Sequence, residues 1–435
     1  MFTARRLAWG SSAVACLLGI AAAAPPPDEP FAWAAGPLDV VVALPRAADA
    51  EAAVGLVDRK VPYYAEAAKR TDPPLGSLRI AAARVDDGGR TLRLTVDPQP
   101  LPARYVLNLE PLGEGEPIVY GLRGVEAARV EGDDPTAEAE WTAWLPTIDP
   151  AGLADLANRS AEHARRLPDL AKPGLLRLDT QVDLPVGEIA ATVESTAEIV
   201  GGFFGDDEPE GGVSKTANGR WVAKFAFDDA PRPAFLSLTI RTGPDAPAPS
   251  VKLTAGKPGE PARAPEASAY LPPWVSAALA ASQQPAPMDV PDLTGGDPKR
   301  GEEVYFNAES QCAQCHVVNG RGTAVGPDLT TIGLKGAEFI YRSIVAPSET
   351  IAPDYVSYTI SLDDGRVATG IVRAEGADAI RVVGADGKST VIPRDEIEEL
   401  RPAATSIMPV GLAPVLGEQR MRDLIAYLTA AARKQ

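Results

Sequence analysis

The apolar positions of this chain follow two periods, and the change from one to the other divides it. From residue 38 to about 144 they mostly alternate. Leu78, Ile80 and Ala82 are separated by Arg79 and Ala81, the turn Asp86-Asp87-Gly88-Gly89 follows, and Leu92, Leu94 and Val96 alternate with Arg93 and Thr95. A period of two on both sides of a Gly/Asp turn predicts a β-hairpin. The stretches 105–109 and 118–122 add two strands, and the whole predicts a β-sandwich-like domain over 37–148. Residues 149–172 change to helical spacing, with Leu153, Leu156 and Ala157 on one face and His163 in an Arg-rich turn, which predicts a helical connector. Strand patterns return at 175–184, 188–195, 221–227 and 235–242, predicting a second β domain over 173–256 with the Gly/Asp/Glu stretch 201–212 as an exposed loop. Pro and Ala then dominate 257–293, the composition of a semi-extended linker.

The last region, 294–435, mixes both periods. Asp297 is placed to cap a helix that Pro298 begins, and Gly301, Val304 and Tyr305 have the spacing of one packed face. At the far end, 418–432 sets Met421, Leu424, Ile425 and Leu428 at helical spacing beside Tyr427. Gly301 would let these two helices approach closely near Tyr427; an ordinary turn role is the alternative. Between them 355–362, 367–374, 379–383 and 390–392 read as short strands joined by Asp363-Asp364-Gly365 and Asp386-Gly387. They predict a small β-barrel, similar to Sm-like or SH3-like modules, inserted over 354–401, which would shield a site, dock a partner or only add stability.

Composition narrows the picture. The chain has 435 residues, too many for one core. Its net charge is −17 and no basic run follows Arg6, so nucleic acid, whose binding rests on neutralising phosphates, is not an expected partner. Arg5 and Arg6, the apolar run 7–20 and the small residues 21–24 read as a signal peptide over 1–24, with the mature chain starting near Ala24 or Pro25 in the periplasm or cell envelope. The apolar run is shorter than the ~20 residues a bilayer crossing needs. Membrane contact is expected only if that segment is retained or Cys16 is lipidated. Removing it leaves Cys312 and Cys315 as the remaining cysteines, too few for a disulfide framework.

Those two thiols form Cys312-Ala313-Gln314-Cys315-His316. Thiols three positions apart can each bond one vinyl group of a haem, and the adjacent imidazole then reaches the iron. A zinc site would need four ligands, and the mature chain offers two Cys and two His; a thioredoxin-like pair would need a βαβ context. The expected cofactor is one covalently attached haem c, with His316 as an axial iron ligand. The sixth position goes to Met408 by elimination. Met1 leaves with the signal, Met288 lies in the linker and Met421 on the apolar side of the last helix, whereas Met408 sits in the irregular run Ser406-Ile407-Met408-Pro409-Val410-Gly411. His163 or an open position are the alternatives.

The segment from Gly296 to Leu428 resembles class I cytochromes c, and within them the haem-binding domain of secreted planctomycete and verrucomicrobial proteins. The matching residues are Gly296-Asp297-Pro298 with Gly301, the Cys312–His316 motif, Gly326-Pro327-Asp328-Leu329-Thr330 with Ile332-Gly333, Ser343-Ile344, Pro347-Ser348, Ile351 with Tyr355, and Ser406-Ile407-Met408-Pro409 with Gly411-Leu412. They cover about a third of the chain. The resemblance implies thioethers at Cys312 and Cys315, axial ligation by His316 and Met408, and a supporting role for Pro327, whose carbonyl would accept the imidazole N–H; a turn former is its alternative. It also implies a secreted dehydrogenase as redox partner.

The fold expected is thus multidomain: two N-terminal β-sandwich-like units, then an all-α class I cytochrome c domain carrying an inserted small β-barrel. The function expected is one-electron transfer by an exported mono-haem cytochrome, a carrier and not an enzyme. A haem-based small-ligand sensor, or an adhesion or glycan-binding protein using Trp141 and Trp144 with an accessory haem, are the alternatives. No nucleophile–base pair stands out for a hydrolase.

Overall fold

Strands Gly76–Asp86 and Thr91–Val96 pair antiparallel around Asp87, Gly88 and Gly89, whose φ angles of 56°, 63° and 89° explain why a Gly/Asp turn closes this hairpin. On one side it continues through Lys60–Tyr64, Arg104–Leu107 and Ile118–Gly121, on the other through Asp39–Ala43 and Phe31–Ala34, giving a single seven-stranded sheet. The structure is a computed structural model that describes residues 29–275 and 288–431, apart from 66–67, 69–71, 73, 100–101, 114–115, 206, 229–232 and 246–248. Residues 1–24, where a signal peptide is expected, and Cys16 within them lie outside the described residues.

Strands Val125–Val130 and Trp141–Leu145 do not join that sheet. They pair into a second one with Gly174–Val182, Ala234–Thr242, Ile199–Phe204 and Tyr270–Leu271, so part of the Pro/Ala-rich stretch is a buried strand. A four-stranded sheet of Ser214–Lys215, Trp221–Phe227, Ile189–Ser195 and Val251–Gly256 faces it, with Phe204 edge-on to Phe225 and Phe227. Gly201 and Gly202, expected in a loop, are strand residues opposite Thr239 and Leu238; a side chain at Gly202 would run into the Ser237 carbonyl, so glycine here permits close pairing. The connector becomes two short helices, Gly152–Ala157 and Ala161–Arg166, that bury Leu153, Leu156 and His163.

The expected all-α domain is corrected by the C-terminal region. It holds helices Pro298–Phe306, Cys312–Cys315, Ala337–Val345 and Leu412–Ala431, the last broken at Gly417 (φ 70°), together with a five-stranded antiparallel sheet. The described residues are mostly β, with 37% of them in strands and 22% helical. In the sheet the order is Ser389–Pro393, Ala379–Val383, Val367–Glu375, Ser357–Leu362, Ile397–Pro402, and among the described residues its ladders end at the first and last of these. The last strand of the insert thus lies beside its first, and apolar residues of all five strands share one core. The two N-terminal regions do not each make a sandwich of their own, since the first is one sheet.

That first sheet and the inserted sheet share a core. Leu38 packs among Tyr358, Ile360, Val372 and Ile380, Arg394 pairs with Asp39, and Asp97 accepts the backbone N–H of Arg79 (3.2 Å) and of Ala374 (3.1 Å). The chain divides into two compact units. One comprises Arg123–Pro273 with Ala43–Ala47 and the stretch through Phe31; the other comprises Ala32–Val42, Ala48–Leu122 and Trp274–Gln435.

Candidate haem site

Asp297 caps helix Pro298–Phe306 by accepting the backbone N–H groups of Lys299 (2.8 Å) and Arg300 (3.1 Å). Gly301 lies directly against the backbone of Asp423 and the Cβ of Tyr427, leaving no space for a side chain, as the spacing predicts. The crossing is locked by a buried carboxylate. Asp423 accepts the Asp297 N–H and both Nε and a terminal nitrogen of Arg300, each at 2.8 Å, and the guanidinium holds it down to about 2.

This helix pair frames the Cys312–His316 turn. The Tyr305 hydroxyl donates to the His316 carbonyl (2.7 Å), while Val325 and Gly326 donate to the Cys315 carbonyl and Leu329 to that of Val317. The loop after the motif is thereby folded back across it. Both cysteines are free and half-buried, and burial pushes their thiols up. His316 Nδ1 stands 2.9 Å from the Pro327 carbonyl oxygen. A carbonyl can only accept, so Nδ1 carries the proton and Nε2 keeps its lone pair. Burial lowers the imidazole below its ordinary value, which favours the neutral ring.

Gly326, which the attachment motif does not include, is decided by the same ring. A Cβ there would come within 2.5 Å of His316 Cε1 and 2.8 Å of Nδ1, so the backbone lies flat on the imidazole. Its signal was its place beside Pro327. Met408 is half-buried in an irregular segment, its N–H donating to Ser406 Oγ (3.2 Å) while Ser406 N–H donates to Ser348 Oγ (3.0 Å). It packs against the same apolar cluster as Cys312, Ala313 and Leu329, whose core is Val304, Tyr305, Ile344, Leu424 and Leu428. Met421 is in that core and 4% exposed. His163 belongs to the other compact unit, with Nε2 on the Trp144 carbonyl (2.9 Å).

The donor set suits haem c: two free thiols one helical turn apart, a neutral imidazole with one nitrogen occupied, and an apolar cluster reaching a thioether. Among the described residues no group of three or more His, Cys, Asp or Glu could hold a bare metal ion. Trp141 and Trp144 are not exposed platforms. Their indole N–H groups donate to Asp169 (2.9 Å) and to the Arg123 carbonyl (2.6 Å).

Residues 298–359 match the family model of Cytochrome c. Together with the helix crossing and the motif they lead to a class I c-type cytochrome domain, a haem-binding electron-carrier type, in the C-terminal part of this chain. No curated protein matches the chain. Among solved structures it is similar to a PA14 sugar-binding domain from an RTX adhesin (12% identity, 34% of this chain and 98% of that one, TM-score 0.24). It is also similar to an anti-sigma factor domain-containing protein from Clostridium clariflavum (13%, 57% and 92%, TM-score 0.25) and to a β-glucosidase from Kluyveromyces marxianus (10%, 36% and 18%, TM-score 0.22). At these TM-scores no function is carried over.

Proposed function

We propose that the protein is an exported mono-haem c-type cytochrome that passes single electrons to or from a secreted or periplasmic dehydrogenase. Cys312 and Cys315 would hold the haem through thioethers, His316 Nε2 and Met408 Sδ would ligate its iron, and Pro327 would orient the imidazole. The observation that carries this reading is the 2.9 Å approach of His316 Nδ1 to the Pro327 carbonyl, with Gly326 flat on the ring. It directs the basic nitrogen away from the protein backbone and raises its basicity, the usual support for a metal-bound imidazole. Haem bound there supplies a one-electron couple between Fe(II) and Fe(III). The surrounding residues keep water away: Tyr305, Leu424 and Leu428 back the motif, and the segment carrying Met408 packs on the same cluster. His/Met ligation raises the reduction potential relative to bis-His, which suits an acceptor of electrons from a dehydrogenase.

Optical and electron-paramagnetic spectroscopy of protein matured in a bacterial periplasm tests it. Wild type should show six-coordinate His/Met iron with one haem per chain, and Met408→Ala should lose the methionine signature. Unchanged axial ligation in the variant would overturn the Met408 assignment, and rapid carbon monoxide binding to wild type would favour a small-ligand sensor. The mature N-terminus should be Ala24 or Pro25, checked by mass spectrometry of the periplasmic fraction.

A further inference from the structure

Where the first sheet meets the inserted sheet, the junction leaves a cavity of about 170 Å³. Its polar lining comes from both sides: Lys60, Ser77 and Asp97 from the first sheet, and Asp354, Tyr355 and Arg373 from the insert. Parts of this lining are committed to structure. Asp97 bridges two backbone N–H groups, Asp354 Oδ1 accepts the Tyr63 hydroxyl (2.7 Å), and the Arg373 guanidinium donates to the carbonyls of Val372 (3.0 Å) and Asp354 while lying 5.7 Å from the centre of the Tyr355 ring. These bonds hold the carboxylates and the guanidinium in fixed places. They leave Asp354 Oδ2, remaining N–H groups of Arg373 and the Ser77 hydroxyl for a ligand, and among the described residues the Lys60 ammonium pairs with no carboxylate.

The charges decide the class of ligand. Two carboxylates and two cations line one small space, so an anion meets two like charges and so does a cation, and an apolar molecule would strip water from all four groups without replacing it. A molecule carrying one ammonium and one carboxylate satisfies both signs. Size limits it further, since an engineered cavity of roughly 150 Å³ holds benzene, six non-hydrogen atoms. We propose that this junction cavity is a binding site for a small zwitterion of the α-amino-acid type, the size of alanine or serine, with its ammonium on Asp354 and its carboxylate on Lys60 and Arg373. The site does not depend on haem ligation, because its lining comes from the two sheets.

Calorimetric titration of the full haem-loaded chain with glycine, L-alanine and L-serine tests it, beside glycerol, acetate and methylammonium. The expected result is one site per chain for the amino acids and none for the other three. Asp354→Asn keeps an oxygen for the Tyr63 hydroxyl but removes the charge, and Lys60→Gln removes the other; each should weaken binding at least about tenfold, with unchanged haem absorbance and melting temperature certifying the fold. Ser77→Leu, which fills the cavity, should abolish binding. Absence of binding by all three amino acids at millimolar concentration, equal binding of glycerol, or affinity unmoved in both charge variants overturns the proposal.

Discussion

Arg394 reaches Asp39 with both ends of its guanidinium, one contact at 3.0 Å, joining residues 355 positions apart in the chain. The pair fastens the strand Asp39–Ala43 of the first sheet to the turn preceding the last strand of the insert. Of the three roles the sequence left open for the insert, the contacts describe a docking one, and what it docks is this chain's own N-terminal sheet. Leu38, buried in the insert's core, supplies the apolar part of the same joint.

Replacing Arg394 with Met should therefore cost stability at that joint. A partly buried, bidentate charged contact is worth about 1–3 kcal/mol, and the variant should melt earlier and become sensitive to limited proteolysis between the first sheet and the insert. An unchanged melting curve and digestion pattern would assign the joint to Leu38 and its neighbours alone.

Asp423 makes the cytochrome domain acid-sensitive in a defined window. Arg300 holds its folded value at about 2, below the ordinary 3.8 of the unfolded chain. The unfolded state takes up the proton first, so the stability this carboxylate contributes is complete above 3.8 and is lost as pH falls towards 2. Asp423→Asn should destabilise the domain at neutral pH and flatten that part of the curve, read by denaturant unfolding followed at the haem absorbance.

A second window belongs to the other unit. Burial lowers His163 to about 4 from an ordinary 6.5, its Nε2 on the Trp144 carbonyl opposing this only in part. The unfolded chain again protonates first, so stability should decline as pH drops from 6.5 to about 4. His163→Gln, which can still donate to that carbonyl, should remove this slope while leaving the haem spectrum untouched. Tryptophan fluorescence, reporting on Trp141 and Trp144, follows it.

Gly326→Ala tests the cradle of the imidazole. The added methyl must displace the His316 ring or the loop carrying Pro327, an overpacking expected to cost about 1–3 kcal/mol. Haem absorbance per chain should fall and the spectrum of what remains should shift. A variant with wild-type haem content and spectrum would show that the loop yields freely and that the flat contact does not hold the ligand.

Local features were open to reading because neighbours in sequence cause them. The spacing Cys312, Cys315, His316 lies within one helical turn, the Asp297 cap and Gly301 belong to one short helix, and a Gly/Asp turn between alternating runs announces its own hairpin. Alternation reports that one face of a strand is buried but not what covers it. Hence alternation alone places Val125–Val130 and Trp141–Leu145 with the first β region although they pair in the second sheet, and composition places Gly202 in a loop because the Ser237 carbonyl it lies against is remote in sequence.

The sequence by itself determined the attachment motif, the cytochrome resemblance and most strand positions, all of them consequences of residues within a few positions of one another. Only the tertiary structure decided that Gly326 lies against the His316 ring, that Val125–Val130 and Trp141–Leu145 join the second sheet, and that Leu38, Asp39, Tyr63 and Asp97 complete the insert's surface. These depend on which buried faces cover each other across hundreds of residues. Burial of apolar area is non-directional, so the choice of partner comes from shape and from the few polar groups, such as Arg394 and Asp39, that must find one another.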